Sequence, residues 1–170
     1  MITKIIRIFR TKILTPYYTY RVKRKTLSVG KDLKVNGKSF ITKNTKLGDN
    51  VNFNGLVING RGKVTIGNNF HSGTECLFIT QIHNYDTGKA IPYDPTYIIK
   101  DIHIEDNVWL GSRIIILGGV RIGEGAIIQA GSVVVNDIPK YGIAGGHPAK
   151  VFKYRNREHY EKLKSEGKFH

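Results

Sequence analysis

The sequence is poor in the residues that would place it in several common classes. It has one cysteine, Cys76, so no internal disulfide framework can form, and the chain fits a reducing, cytoplasmic compartment. No apolar run approaches the roughly 18 residues of a membrane span, and no short apolar run marks a secretory leader. Acidic residues are scarce, 13 against 27 Lys and Arg, which leaves a formal charge of +14. That surplus favours anionic partners. Aromatic residues are not spaced as a base-stacking platform and no nucleic-acid motif occurs, so nucleic acid is not expected among them. At 170 residues the chain is one domain, long enough for a substantial core.

What the chain has in quantity is glycine, 19 residues, and a repeat. A bulky aliphatic side chain returns every six positions at Ile104, Leu110, Ile116, Ile122, Ile128 and Val134. Four residues after each stands a second small or apolar one: Val108, Ile114, Val120, Ala126, Ser132 and Ile138. A helix needs a period near 3.6 and a plain strand needs 2. A period of six predicts an all-β parallel β-helix, in which each hexad is one short strand plus a corner and three hexads close one triangular coil. The leading residues then stack into inward ladders.

The period is already present at Val29, Val35, Ile41, Leu47 and Phe53, slips by one residue near Gly55–Gly62, and continues through Ile66, Ser72 and Phe78. Phe78 and Ile104 lie 26 residues apart, which reads as one 18-residue coil plus eight, with Ile98 leading a hexad between them. The surplus is assigned to a loop over residues 84–97, rich in Asp, Gly, Pro and Tyr. Loops carried on a rigid scaffold are where binding usually sits.

Three divisions follow: a cap at 1–25, the β-helix at 26–153 and a tail at 154–170. Residues 1–25 hold eight Lys or Arg and no acid. Ile2, Ile5, Ile6, Phe9 and Ile13 share one helical face, with Lys4, Arg7, Arg10 and Lys12 on the other. Pro16 should end that helix at about Leu14. Such a helix covers the open first coil, and a compatible second role is to lie on anionic lipid at the inner membrane face. After Ile138 an irregular exit is expected through Lys150, then a polar helix from Asn156 to Glu166 ended at Gly167. Tyr160 and Leu163 give this helix only a thin apolar stripe, for the body or a neighbouring subunit.

His83 and Trp109 each occupy the sixth position of a hexad, and an eight-residue excursion would put them on stacked coils at one corner. Imidazole is suited to removing a hydroxyl proton near neutral pH. His71 and His103 are also sixth residues, but the spacing sends the three histidines to different corners, so no metal site is expected. Tyr85, Asp86, Tyr93, Asp94 and Tyr97 in the loop suit hydroxyl binding and ring stacking. Nothing near Cys76 in the sequence would activate it as a nucleophile.

The segments Asp106–Ser112, Gly118–Gly123, Ala130–Val134, Asp137–Pro139 and Gly146–Lys150 make residues 29–153 similar to the hexapeptide-repeat acyltransferases. The branch most resembled is that of maltose, galactoside and capsular-polysaccharide O-acetyltransferases. The resemblance, rather than the period, implies a left-handed coil, a homotrimer with active sites between subunits, and acetyl-CoA as co-substrate with no metal. It implies His83 as catalytic base and Asn52 or Asn54 as a sugar ligand. It places acetyl-CoA contacts at Trp109, Gly111, Ser112, Ala130, Lys150 and Lys153. The backbone N–H of Gly111 or a neighbour would hold the oxyanion. Lys150 and Lys153 stand where the sugar enzymes often carry arginine, so phosphate contact is kept without its bidentate geometry. Val135 and Asn136 depart from the usual Thr-Lys pair, and the sugar enzymes' N-terminal region is not recognisable in residues 1–25.

The reaction so implied is direct transfer, in which His83 deprotonates an acceptor hydroxyl that attacks the acetyl carbonyl. The acceptor expected is a sugar hydroxyl of a surface polysaccharide or glycolipid precursor, held by Asn52, Asn54, Tyr85, Asp86, Tyr93 and Trp109. Antibiotic acetylation ranks second, because its enzymes carry excursions longer than 14 residues, and amino-sugar N-acetylation third. A non-enzymatic trimeric scaffold for an acidic partner is the reading from another class. Binding of acetyl-CoA separates it from the transferases.

Overall fold

A computed structural model describes residues 8–170, and these form a left-handed parallel β-helix of about six coils. Its first side holds Ser28–Val29, Thr45–Leu47, Val64–Ile66, Ile102–Ile104 and Arg121–Ile122. The second side holds Lys34–Val35, Asn52–Phe53, His71–Ser72, Trp109–Leu110 and Ile127–Ile128. The third holds Leu56–Asn59, Cys76–Ile79, Ile115–Leu117 and Val133–Val134.

The six-residue period becomes three ladders of buried side chains. Leu47, Ile66, Ile104 and Ile122 stack on the first side, Ser72, Leu110 and Ile128 on the second, and Ile58, Phe78, Ile116 and Val134 on the third. Full burial of each large apolar member contributes about 1.5–3 kcal/mol.

Corners repeat as regularly as sides. Asn50, Asn69 and Asn107 stand one above another in the left-handed region, at φ 51°, 52° and 60°. Asparagine is among the few non-glycine residues that enter that region readily. The column is bonded through its side chains: Asn50 Nδ2 donates to Asn69 Oδ1 (3.0 Å) and Asn69 Nδ2 to Asn107 Oδ1 (2.8 Å). On the next coil the column ends at Gly125, where a Cβ would lie 2.8 Å from the Tyr160 ring. The missing side chain is what lets the C-terminal helix dock.

The early slip is two compensating changes. Phe53 to Ile58 takes five residues, with Gly55 at φ +121°, and Ile58 to Ile66 takes eight, with Gly60 at φ +101°.

The excursion is larger than the spacing suggested. Phe78 pairs directly with Ile116 and Ile66 directly with Ile104, so Ile104 leads the hexad after Phe78. The 26 residues between them contain one hexad and 20 extra residues, not a coil and eight. Ile98 leads no hexad; it pairs antiparallel with Ile82 in a hairpin of Gln81–His83 and Tyr97–Ile99.

Both ends of the chain also depart from expectation. The N-terminal helix does not stop at Leu14: a π-helical turn at Arg10–Leu14 runs into an α-helix at Thr15–Lys23. The Thr15 N–H bonds to the Arg10 carbonyl, five residues back, and this wider turn relieves the ring–carbonyl clash that Pro16 would otherwise cause. Thr15 and Val22 are buried, and Thr19 Oγ1 accepts from the Val35 N–H, so residues 15–23 cover the first coil. The expectations for Ile2, Lys4, Ile5, Ile6 and Arg7 lie outside the described residues. At the other end the exit is not irregular: Gly142–Gly146 and Ala149–Tyr154 form an antiparallel hairpin that extends the second side. The final helix, Arg157–Ser165, begins where expected, with Asn156 Oδ1 accepting from the His159 N–H (2.9 Å).

Candidate active site

The hairpin and the second side each gather part of the expected site. On the hairpin, His83 stacks on Tyr93 with ring centroids 3.9 Å apart and lies 4.9 Å from Tyr97. Tyr97 in turn carries the Arg61 guanidinium over its face at 5.4 Å. His83 makes no hydrogen bond among the described residues, so its ring is positioned by aromatic contact. Tyr85 and Asp86 are exposed nearby in sequence.

Asp94 is not a free ligand. It is almost fully buried and fastens the loop: Oδ1 accepts from the Thr96 N–H (2.9 Å) and hydroxyl, and Oδ2 accepts from the Lys89 N–H (2.9 Å). These bonds, led by the Thr96 hydroxyl, hold its carboxyl below the usual aspartate range. Asn84 donates to Thr96 Oγ1 (3.1 Å), which ties the residue after His83 into the same staple.

Trp109 is elsewhere. It pairs with His71 and Ile127 on the outer face of the second side, not with His83. The expected corner shared by His83 and Trp109 is therefore wrong within one chain, because the 20-residue excursion moves His83 off the coil. Asn52 pairs with His71 and Asn54 donates to the Ser72 carbonyl (2.7 Å), so both asparagines belong to Trp109's side. Ser112, Ala130 and Gly111 form the corner after that side, where a Cβ on Gly111 would lie 2.6 Å from the Ala130 nitrogen. Ser112 Oγ accepts from the Thr74 N–H (3.1 Å). Lys150 pairs with Gly145 and Lys153 with Ile143 on the terminal hairpin above. The Gly111 N–H is taken by the Ile128 carbonyl (2.8 Å), so it cannot serve an oxyanion; Ser112 supplies the next amide.

Sequence reasoning missed the cavity beside Trp109. The C-terminal helix crosses the outer face of the second side and encloses about 660 Å³ with Trp109, His71, Ile127, Lys153, Arg155 and Lys168 among its walls, and no Asp or Glu side chain. Helix and body meet at Tyr160, which accepts from Asn107 Nδ2 (2.8 Å) and donates to Glu124 Oε1 (3.1 Å). Lys140 (3.0 Å) and Lys164 flank that carboxylate and keep it below the usual glutamate range against the opposing effect of burial. Burial lowers His71, whose Nε2 lies 3.2 Å from the His170 carbonyl. The signal was present in the polar helix with its lone Tyr160 and in Gly125, but only the register joins them. Among the described residues no His, Cys, Asp and Glu cluster could hold a metal ion; His71, His83 and His103 stand on the second side, the hairpin and the first side.

Repeat, handedness and the position of the extruded hairpin together define a hexapeptide-repeat β-helix. The bacterial transferase hexapeptide (six repeats) profile matches residues 101–136. A provisionally named acetyltransferase of Schizosaccharomyces pombe is 45% identical over 90 residues, covering 53% of this chain and 42% of that protein. A hexapeptide-repeat acetyltransferase of Vibrio cholerae, solved with acetyl coenzyme A, superposes with a TM-score of 0.71 at 26% identity, over 86% of this chain and 81% of that one. A galactoside acetyltransferase in complex with coenzyme A gives a TM-score of 0.71 at 29% identity, over 82% and 70%. Residues 101–136 thus carry the hexapeptide repeat, and the fold is the one seen in solved acetyltransferases built on it. It spans about half the length of the curated relatives it matches. Among the described residues no helix is long and apolar enough to cross a membrane.

Proposed function

We propose that the protein is an acetyl-CoA-dependent O-acetyltransferase that acts on a sugar hydroxyl of a polysaccharide or glycolipid precursor. The observation that carries this reading is the cavity beside Trp109, with cations, an indole face and no acidic side chain. Such a lining suits the phosphates and the acyl arm of acetyl-CoA, the ligand present in the Vibrio cholerae relative. Lys153 lines that cavity, and Lys150, Ser112 and Ala130, which lie outside it, are the further contacts assigned to acetyl-CoA. His83 serves as base for the acceptor hydroxyl, the Ser112 amide as oxyanion donor, and Tyr85, Asp86, Tyr93, Asn52 and Asn54 as acceptor ligands.

Because His83 and Trp109 stand apart in one chain, the site is completed by a second copy in a homotrimer, with His83 of one subunit meeting Trp109 of the next. His83→Ala should lower turnover by at least about 10² while acetyl-CoA affinity measured by calorimetry stays unchanged; unchanged turnover overturns the assignment. Mixing His83→Ala with Trp109→Ala subunits should restore a fraction of activity that neither variant has alone. Antibiotic acetylation is the second reading, favoured by the 20-residue excursion, which removes the ground for ranking it lower. An acceptor screen of glycans against antibiotics decides between them.

A further inference from the structure

The N-terminal helix has two faces and the fold uses one. Thr15 and Val22 are buried against the first coil and Tyr18 packs partly on the core. On the opposite side Phe9, Ile13, Tyr17 and Tyr20, spaced i, i+4, i+8 and i+11, are 50%, 54%, 51% and 58% exposed. Phe9 to Tyr20 spans about 16 Å of helix. Lys12, Arg21, Lys23 and Arg24 flank this stripe, with Arg21 over the Tyr17 ring (5.9 Å) and Arg24 over Tyr20 (5.8 Å). No acidic residue precedes Asp32 in the sequence.

We propose that this face is the surface by which the protein lies on an anionic lipid bilayer. The chemistry of the face selects the occupant. Aromatic bodies with polar tips settle at the boundary between acyl chains and headgroups, and arginine and lysine stems cover apolar surface while their charges reach phosphate. A second copy of the same face would set cations against cations with no acid to separate them. The helix is fixed to the first coil by the Val35 N–H to Thr19 bond (3.0 Å), so contact with the bilayer holds the whole β-helix there. The membrane contact stands independently of the reaction assigned above; only delivery of a lipid-held acceptor to His83 rests on that reading.

The test is co-sedimentation of the full chain, without acetyl-CoA, with vesicles of phosphatidylcholine alone or mixed with phosphatidylglycerol. The expected result is binding to the mixed vesicles only, weakened by salt. Arg21→Gln with Arg24→Gln should lower the partition coefficient by about 25-fold, at roughly fivefold for each cation removed. Phe9→Ser with Ile13→Ser should abolish binding, with the near-ultraviolet circular dichroism of both pairs unchanged because all four side chains are exposed. Equal binding to both vesicles, no binding to either, or vesicle-free self-association that Phe9→Ser with Ile13→Ser removes would each overturn the proposal. Loss of soluble-acceptor acetylation in His83→Ala reads the reaction separately.

Discussion

Two adjacent stretches of this chain solve opposite problems. From Ile104 to Ile128 every leading residue is buried between a neighbour on the coil before and one on the coil after. From Gln81 to Lys100 the chain has left the coil, its two strands pair only with each other, and most of its side chains are in solvent. The first stretch is held by stacked apolar area; the second is held by one hairpin, one carboxylate staple, two tyrosine rings on His83, and Arg61, which donates to Gln81 Oε1 (2.9 Å) and lies over Tyr97. Stability and chemistry are thereby placed in different parts of the molecule. Phe78 and Ile116 still pair across the excursion, so the stack is continuous beneath it.

The sharpest test of that division is Ile116→Ala, which should cost about 2–5 kcal/mol of global stability in denaturant titration, since the site cannot collapse between two fixed coils. Asn156→Ala lies between the extremes: loss of the helix cap should cost about 1 kcal/mol and loosen the wall of the Trp109 cavity. Replacing residues 84–96 with an Asn-Gly turn should change global stability by less than about 1 kcal/mol, because loop length carries a weak entropic cost, while it removes acetyl transfer. A large fall in midpoint here would break the comparison. The smallest effect is local. Asp94 has a lowered pKa, so its contribution is present above the unfolded value of about 3.9 and is lost as pH falls through the folded value. Amide protection at Lys89 and Thr96 should drop below about pH 4 with the midpoint of global unfolding unmoved by Asp94→Asn.

The same division explains what could be read in advance. The ladder is legible because its constraint is written in side-chain type at a fixed spacing, and Ile104 through Val134 obey it without exception. The hairpin was undersized because Ile98 imitates a leading residue: its apolar side chain serves pairing with Ile82, and composition does not distinguish the two uses. That single misassignment put His83 beside Trp109. The helix through Pro16 was hidden because a π-helical turn is a backbone adjustment that leaves no mark in residue type. The C-terminal helix was found from Asn156 and Gly167, but its seat on Gly125 depends on a column of asparagines 19 and 38 residues apart. Of the candidate site, residue identities were legible and their grouping was not.

Trp109 is the chain's one indole and is 53% exposed, in the wall of the cavity under the last helix. Its emission therefore carries no background from any other tryptophan. A blue shift on adding coenzyme A would report drying of that wall, and a red shift on heating would report the last helix lifting before the coils part. The protein contains its own optical gauge at the place where its cofactor is expected to enter.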